Sequence, residues 1–216
     1  MEERRGVAEE RGGGVEERRS EKTRELVRLF KSRAREAGAV VVEPGKLDGA
    51  LAYALDLVLA REAAGVFAEA KEGGDPSSLV FLDLKPEDEP ERRREMFASK
   101  GIRVAEEGLR KCAGGIDLAF TGCALGIAES GSVLIETRTE DLRLATMLAD
   151  LHAVRLPKSL LARDLSALPP RLRRELFHSG SFVSLVTGPS RTADVERVLT
   201  LGVHGPLELH VLLTEE

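Results

Sequence analysis

Phe182-Val183-Ser184-Leu185-Val186-Thr187-Gly188-Pro189-Ser190-Arg191-Thr192-Ala193-Asp194-Val195-Glu196 is the stretch whose reading decides how the rest of the chain is organised. The apolar run Phe182 to Val186 predicts a buried strand. A turn of small and polar residues follows, and Val195, Val198 and Leu199 then recur at the spacing of one helix face. A strand that turns into a helix leaves backbone N–H groups unpaired at the strand's carboxyl end, where open α/β sheets bind ligands and helix N-termini favour anions. Arg191 adds a fork of donors suited to a carboxylate or phosphate. Thr187, Gly188, Ser190, Arg191 and Thr192 are therefore the candidate anion-binding residues. The competing reading is a capped turn, in which Asp194 takes the N-cap position and occupies those N–H groups itself.

Working outward, strands and helices alternate. Leu26, Leu29, Phe30 and Ala37 form a helical stripe that Gly38 ends. Val40 to Val42 predicts a strand, Leu47 to Ala64 a helix, Leu79 to Leu84 a strand and Pro90 to Ser99 a polar helix. Strands follow at Ile102 to Ala105, Ile116 to Thr121 and Ser132 to Glu136. A helix over Glu140 to Asp150 carries a capping-box spacing at Thr137 and Glu140. Val154 to Leu156 predicts a strand, Leu168 to Phe177 a helix with Pro169 and Pro170 in its first turn, and Leu207 to Leu212 the last strand. Alternation of this kind predicts an α/β fold with a mostly parallel sheet and helices on both faces. The short strands around 116–136 point to a local antiparallel addition. Residues 1–19 hold Glu, Arg and Gly with only two valines, too little apolar area to order a segment, so a disordered tail is expected before a domain over 20–216. The second reading of that tail is an extension of the next helix, against which Gly12-Gly13-Gly14 counts.

Composition excludes several classes. The 216 residues are 42% hydrophobic and 32% charged, a soluble balance. A net charge of −5 argues against sequence-independent nucleic-acid binding. No apolar run reaches membrane-spanning length, and the charged N-terminus is unlike a signal peptide, so a cytoplasmic protein without a membrane partner is expected. Aromatic residues make up 4% of the chain, so stacking platforms for bases are scarce.

A second glycine-rich segment, Thr121 to Val133, lies between two predicted strands. Its glycines do not match the dinucleotide-binding spacing. It is either a tight β–β connection with Glu129 in solvent, or a site in which Glu129 acts as acid, base or nucleophile beside Ser130 and Ser132. Gly131 and Ser132 are further pocket candidates. Lys158 follows a predicted strand within reach of an anion, and His204 sits in the turn Gly202-Val203-His204-Gly205-Pro206. The four histidines and the pair Cys112 and Cys123 lack metal-ligand spacing, so no metal, iron–sulfur cluster or thioredoxin-like pair is expected.

The strings Gly122-Cys123-Ala124-Leu125-Gly126-Ile127-Ala128-Glu129-Ser130-Gly131-Ser132, Leu156-Pro157-Lys158-Ser159, Thr187-Gly188-Pro189-Ser190-Arg191-Thr192-Ala193-Asp194-Val195-Glu196 and Leu201-Gly202-Val203-His204-Gly205-Pro206 together resemble the LUD domain family, specifically its lactate-utilisation C branch, over about residues 20 to 215. The resemblance implies a NagB/RpiA/CoA-transferase-like fold. It implies a role in bacterial oxidation of L-lactate to pyruvate beside two partner proteins that carry iron–sulfur clusters. This chain lacks their cysteine motifs and would hold no cluster and no other cofactor. In the CoA-transferase relatives a Glu followed by a small residue and Gly is the acyl acceptor. Glu129-Ser130-Gly131 is similar at the level of fold analogy, which makes Glu129 the catalytic candidate. The resulting expectation is an accessory subunit that binds a small anionic metabolite in a pocket shared by Glu129 and the 187–192 turn. The alternatives are a non-catalytic assembly protein for the iron–sulfur partners and an acyl- or CoA-handling enzyme that uses Glu129. The oligomeric state stays open.

Overall fold

The computed structural model describes residues 3–64, 78–112, 115–168, 170, 173–174, 182–189, 191–195, 198–201 and 205–215; within these, the side chains of 3–19, 167 and 191–201 are outside the description. The elements in the first half are α1 (Glu3–Glu36), β1 (Val40–Gly45), α2 (Leu47–Ala63), β2 (Leu79–Leu82), α3 (Pro90–Ala98) and β3 (Arg103–Ala105). The second half holds β4 (Ile116–Gly122), β5 (Leu125–Ile127), β6 (Ser132–Thr137), α4 (Glu140–Leu148), β7 (Ala149–Pro157), β8 (Leu161–Ala162), β9 (Phe182–Val186), β10 (Arg191–Val195), β11 (Val198–Leu201) and β12 (Glu208–Thr214).

Six strands form one sheet in the order β1-β12-β7-β4-β2-β3, every neighbouring pair parallel. Such a sheet must be covered on both faces, and the alternation of side chains along each strand shows how. On one face Val80, Leu82, Leu118, Phe120, Leu151 and Leu212 pack against Leu51, Ala54, Leu55 and Val58 of α2 and Phe97 of α3. The opposite face has two covers. Val154, Leu156, Leu209, Val211 and Leu213 meet Phe30 and Ala34 of α1 together with Val133 and Ile135 of β6. Leu79, Phe81 and Ala119 meet Leu142 and Ala145 of α4. This is the doubly covered parallel architecture that the sequence predicts.

A second sheet, β8-β5-β6-β9, lies in the connections between β4 and β12 and includes the antiparallel β5–β6 pair anticipated around 116–136. Its turn at residues 128–131 and the turn after β9 both press on α1. Gly131 has a φ of +67°, and a Cβ there would stand 2.2 Å from the backbone nitrogen of Ala34. A Cβ on Gly188 would stand 2.4 Å from the carbonyl oxygen of Ala37. Only glycine permits either approach.

Three expectations change. The run Phe182 to Val186 is a strand, but it is not buried: Phe182 is 62% and Leu185 52% exposed, because β9 pairs with β6 at the margin of the small sheet rather than lying inside the large one. Among the described residues no helix follows its turn. Arg191–Val195 and Val198–Leu201 form the antiparallel pair β10–β11, with Arg191 opposite Leu201 and Thr192 opposite Thr200. The β-branched Thr192, Val195, Val198 and Thr200 suit a strand better than the helical spacing of three apolar residues suggests. The N-cap of α4 is Thr139, whose hydroxyl accepts from the Leu142 amide at 3.1 Å. Thr137 instead donates to the Phe182 carbonyl at 3.0 Å, tying β6 to β9. Helix α1 runs from Glu3 to Glu36. Most of the helix expected over Leu168 to Phe177 lies outside the described residues.

The close approach at Gly131 generates a stability test. Gly131→Ala must force α1 away from the 128–131 turn and also strain the backbone, at a cost of about 3 kcal/mol in urea unfolding. Gly122→Ala, where a Cβ would meet nothing within 4 Å, should stay within about 0.5 kcal/mol of the parent.

Candidate functional site at the carboxyl edge of the sheet

Strands β1, β12 and β7 are neighbours and run parallel, so Glu43, Glu215 and Lys158 gather at one edge, the carboxyl edge where α/β sheets bind ligands. The Glu215 amide donates to the Gly45 carbonyl at 2.8 Å, which fixes the chain end of β12 beside β1. Helix α1 crosses this edge and closes a cleft of about 810 Å³ lined by Thr23, Arg24, Val27, Arg28, Lys31, Ser32, Arg35 and Glu36 of the helix and by Glu43 and Lys158 of the sheet. Five cations face two carboxylates in a protein whose net charge is −5. The cleft is a local positive concavity in an acidic molecule, the kind of field that concentrates anions.

Its charges are ordered at one end. Lys158 Nζ lies 2.9 Å from Glu43 and 2.9 Å from Glu215, and Lys31 Nζ lies 2.6 Å from Glu43. Hydrogen bonds from Lys158 and then Lys31 pull the Glu43 carboxyl down to about 2, so it stays ionised throughout the physiological range. Lys158 is correspondingly raised by Glu215 and Glu43. Farther along α1, Arg35 reaches the Val41 carbonyl at 3.4 Å. Among the described residues, no carboxylate pairs with Arg24 or Arg28.

Of the residues singled out by sequence, Lys158 lines this cleft. The two glycine motifs do meet, though not as cleft walls. Ser132 Oγ donates to Ser130 Oγ at 2.7 Å and shares a hydrogen bond with Thr187 Oγ1 at 2.8 Å, so one hydroxyl row joins the 128–131 turn to the end of β9. Gly131 and Gly188 seat both turns on α1. Glu129 projects from the same turn, its side chain half exposed, and pairs with Arg163 at 3.0 Å, while its amide donates to the Arg163 carbonyl at 3.0 Å. Ser190 and His204 lie outside the described residues, as do the side chains of Arg191, Thr192 and Asp194. With β10 in place of a helix, the argument from a helix N-terminus at that turn falls away.

The sequence missed a second polar centre, where β2 and β4 end side by side. The Gly122 amide donates to the Asp83 carboxylate, yet desolvation outweighs that bond and raises the Asp83 carboxyl. Nearby, Arg155 pairs with Asp88 at 3.6 Å. Deeper in the sheet Thr121 Oγ1 meets His152 Nε2 at 2.9 Å, and His152 Nδ1 has no partner. Burial lowers His152 to about 4. Cys123 donates to the Arg155 carbonyl at 3.3 Å, and burial pushes its thiol up to about 12. Asp83, His152 and Arg155 sit singly in apolar runs, so linear spacing gave no sign that parallel pairing would gather them. Among the described residues, no cluster of three or more His, Cys, Asp or Glu side chains is arranged to hold a metal ion, and no helix is long and apolar enough to cross a membrane.

Fold and cleft define a doubly covered parallel α/β protein with a cationic hollow at its carboxyl edge. Residues 27–214 match the LUD domain, and the chain belongs to that family. The relative named Lactate utilization protein C of Exiguobacterium sp. is 28% identical over 185 residues, covering 82% of this chain and 71% of that protein. Proteins of the same name from Bacillus subtilis and Anoxybacillus flavithermus are each 28% identical, over 56% and 46% of this chain. There the match spans about half of the relative, 50% and 44% of its length. The crystal structure of a DUF162 family protein from Deinococcus radiodurans shares the fold with a TM-score of 0.53 and 16% identity, covering 89% of this chain and 98% of that one.

His152 makes stability depend on pH. Its folded pKa lies below the ordinary 6.5, so the unfolded chain takes up the proton first, and stability that is whole above about pH 6.5 is lost as pH falls toward 4. At 1.36 kcal/mol per unit the loss approaches about 3 kcal/mol. His152→Gln should flatten the fall in the urea midpoint between about pH 7 and pH 4.5 relative to the parent chain; equal slopes would refute the assignment.

Proposed function

We propose that this chain is a cytoplasmic accessory subunit of a bacterial L-lactate to pyruvate oxidation system, working beside iron–sulfur partner proteins, and that it binds a small anionic metabolite in the cleft between α1 and the carboxyl edge. The observation that carries this reading is the excess of cations in a sizeable hollow at the sheet edge where such folds place ligands. The names of its relatives support a role in lactate utilisation. In this reading the arginines of α1 hold the anion, and Lys158, tied to Glu43 and Glu215, bounds the far end of the cleft. Ser130, Ser132, Thr187, Gly131 and Gly188 hold α1 in place so that the cleft exists. Glu129, neutralised by Arg163 and turned to solvent, is less suited to act as an acyl acceptor, which needs a nucleophile poised toward substrate.

A second reading is favoured by one surface. Phe182, Leu185, Met147 and Leu148 are exposed apolar residues of β9 and α4, with Arg143 stacked 4.5 Å from the centre of the Phe182 ring. Exposed apolar patches mark interaction sites, and an assembly protein would use this one to dock its partners.

Lactate oxidation reconstituted from the partner proteins, with this chain added or withheld, separates the readings when run with two variants. If the cleft is the working site, a Lys158→Ala, Arg28→Ala double variant lowers activity and anion affinity by about tenfold or more while complex formation persists. If assembly is the role, Phe182→Ser abolishes co-purification and the cleft variant does nothing.

A further inference from the structure

We infer that the ligand of the cleft is a metabolite bearing a linear phosphate chain rather than a single carboxylate or orthophosphate. The inference rests on the anion-binding reading above and specifies its chemistry. A volume of about 810 Å³ falls in the range of sites that enclose cofactor-sized molecules, far beyond what a three-carbon acid fills. The lysine end of the cleft already has its counter-ions, because Glu43 and Glu215 hold Lys158 and Glu43 also holds Lys31. The remaining positive charge is a row of guanidiniums on one stripe of α1, at Arg24, Arg28 and Arg35. The cleft's other helical carboxylate, Glu36, is engaged by Arg33 at 2.9 Å.

That row has a length. Arg24 and Arg28 are one turn apart, about 6 Å between their Cβ atoms, and Arg24 to Arg35 spans eleven residues, about 16 Å along the helix. A single compact anion meets one guanidinium of such a row. A chain of linked phosphates carries charge along its length and engages successive forks, each able to take two oxygens. Among the described residues the lining contains no aromatic side chain to stack a base; recognition falls on the phosphate chain.

Calorimetric titration of the full chain with tripolyphosphate, orthophosphate, lactate and an oligoglutamate peptide tests this. Tripolyphosphate should bind at least about tenfold more tightly than orthophosphate or lactate. Arg24→Ala and Arg28→Ala should each weaken tripolyphosphate by about fivefold or more with an unchanged Tm, while Arg92→Ala, at an arginine paired with Glu89 away from the cleft, should not. Equal affinities for tripolyphosphate and orthophosphate, abolished by Lys158→Ala but insensitive to Arg24 and Arg28, would overturn this inference and leave the anion site standing. No binding of any anion would overturn both. Tighter binding of oligoglutamate than of tripolyphosphate would also overturn it, reassigning the groove to an acidic protein segment.

Discussion

The contact on which the rest depends is the backbone approach between α1 and the two glycine turns. At Gly131 the helix, and at Gly188 the Ala37 just past its end, lie so near that a single added carbon would stand 2.2 Å and 2.4 Å from their backbone atoms. That approach lets Phe30 and Ala34 reach the sheet and complete the core they share with Val154, Leu156 and Val211. It also sets the outer stripe of α1 over the ends of β1, β12 and β7, which makes a cleft out of a sheet edge and a helix. Core and cleft are two consequences of one packing event. A change that lifts α1 therefore disturbs the core and the shape of the cleft together, because close-packed interiors do not yield gradually.

Electrostatics then divide the cleft. The lysine end is a closed network in which Glu43 bridges two ammonium groups and Glu215 caps one of them. Partly exposed pairs of this kind contribute little to stability; their effect is to hold Lys158 in position and cancel its charge. The arginine end keeps its charge, so the field of the cleft is graded along α1. The surface of β9 and α4 is of the opposite character, apolar and exposed, and lies on a different part of the molecule's chemistry. The cationic cleft and this apolar surface draw on different residues.

Some of this was legible in the sequence. The segments 79–84, 116–121 and 207–212 read as strands of a mostly parallel sheet with helices on both faces, and the spacing of Leu51, Ala54, Leu55, Val58 and Leu59 reads as the buried side of a helix. Strand β7 was seen only at 154–156 because His152 and Asp150 interrupt its apolar pattern; both are accommodated once the strand lies at the sheet's centre. The β10–β11 pair was read as a helix because Val195, Val198 and Leu199 fit a helical period as well as a hairpin, and three residues do not distinguish the two. Glycine signals at 131 and 188 marked real constraints, but the sequence could not say whether a ligand or a helix came close. The answer is a helix.

By itself the sequence determined the layered parallel α/β class and the family, because periodicity and motif strings are local and survive without knowledge of partners in space. It also marked Lys158 as a cation at a strand's end. Only the tertiary structure decided where cations gather into a hollow. Arg24, Arg28 and Lys31 belong to an ordinary charged helix face until that helix is laid across Glu43, Lys158 and Glu215, residues brought together by parallel pairing of strands far apart in the chain. Charge in a sequence is a count; its direction and its neighbours are set by packing.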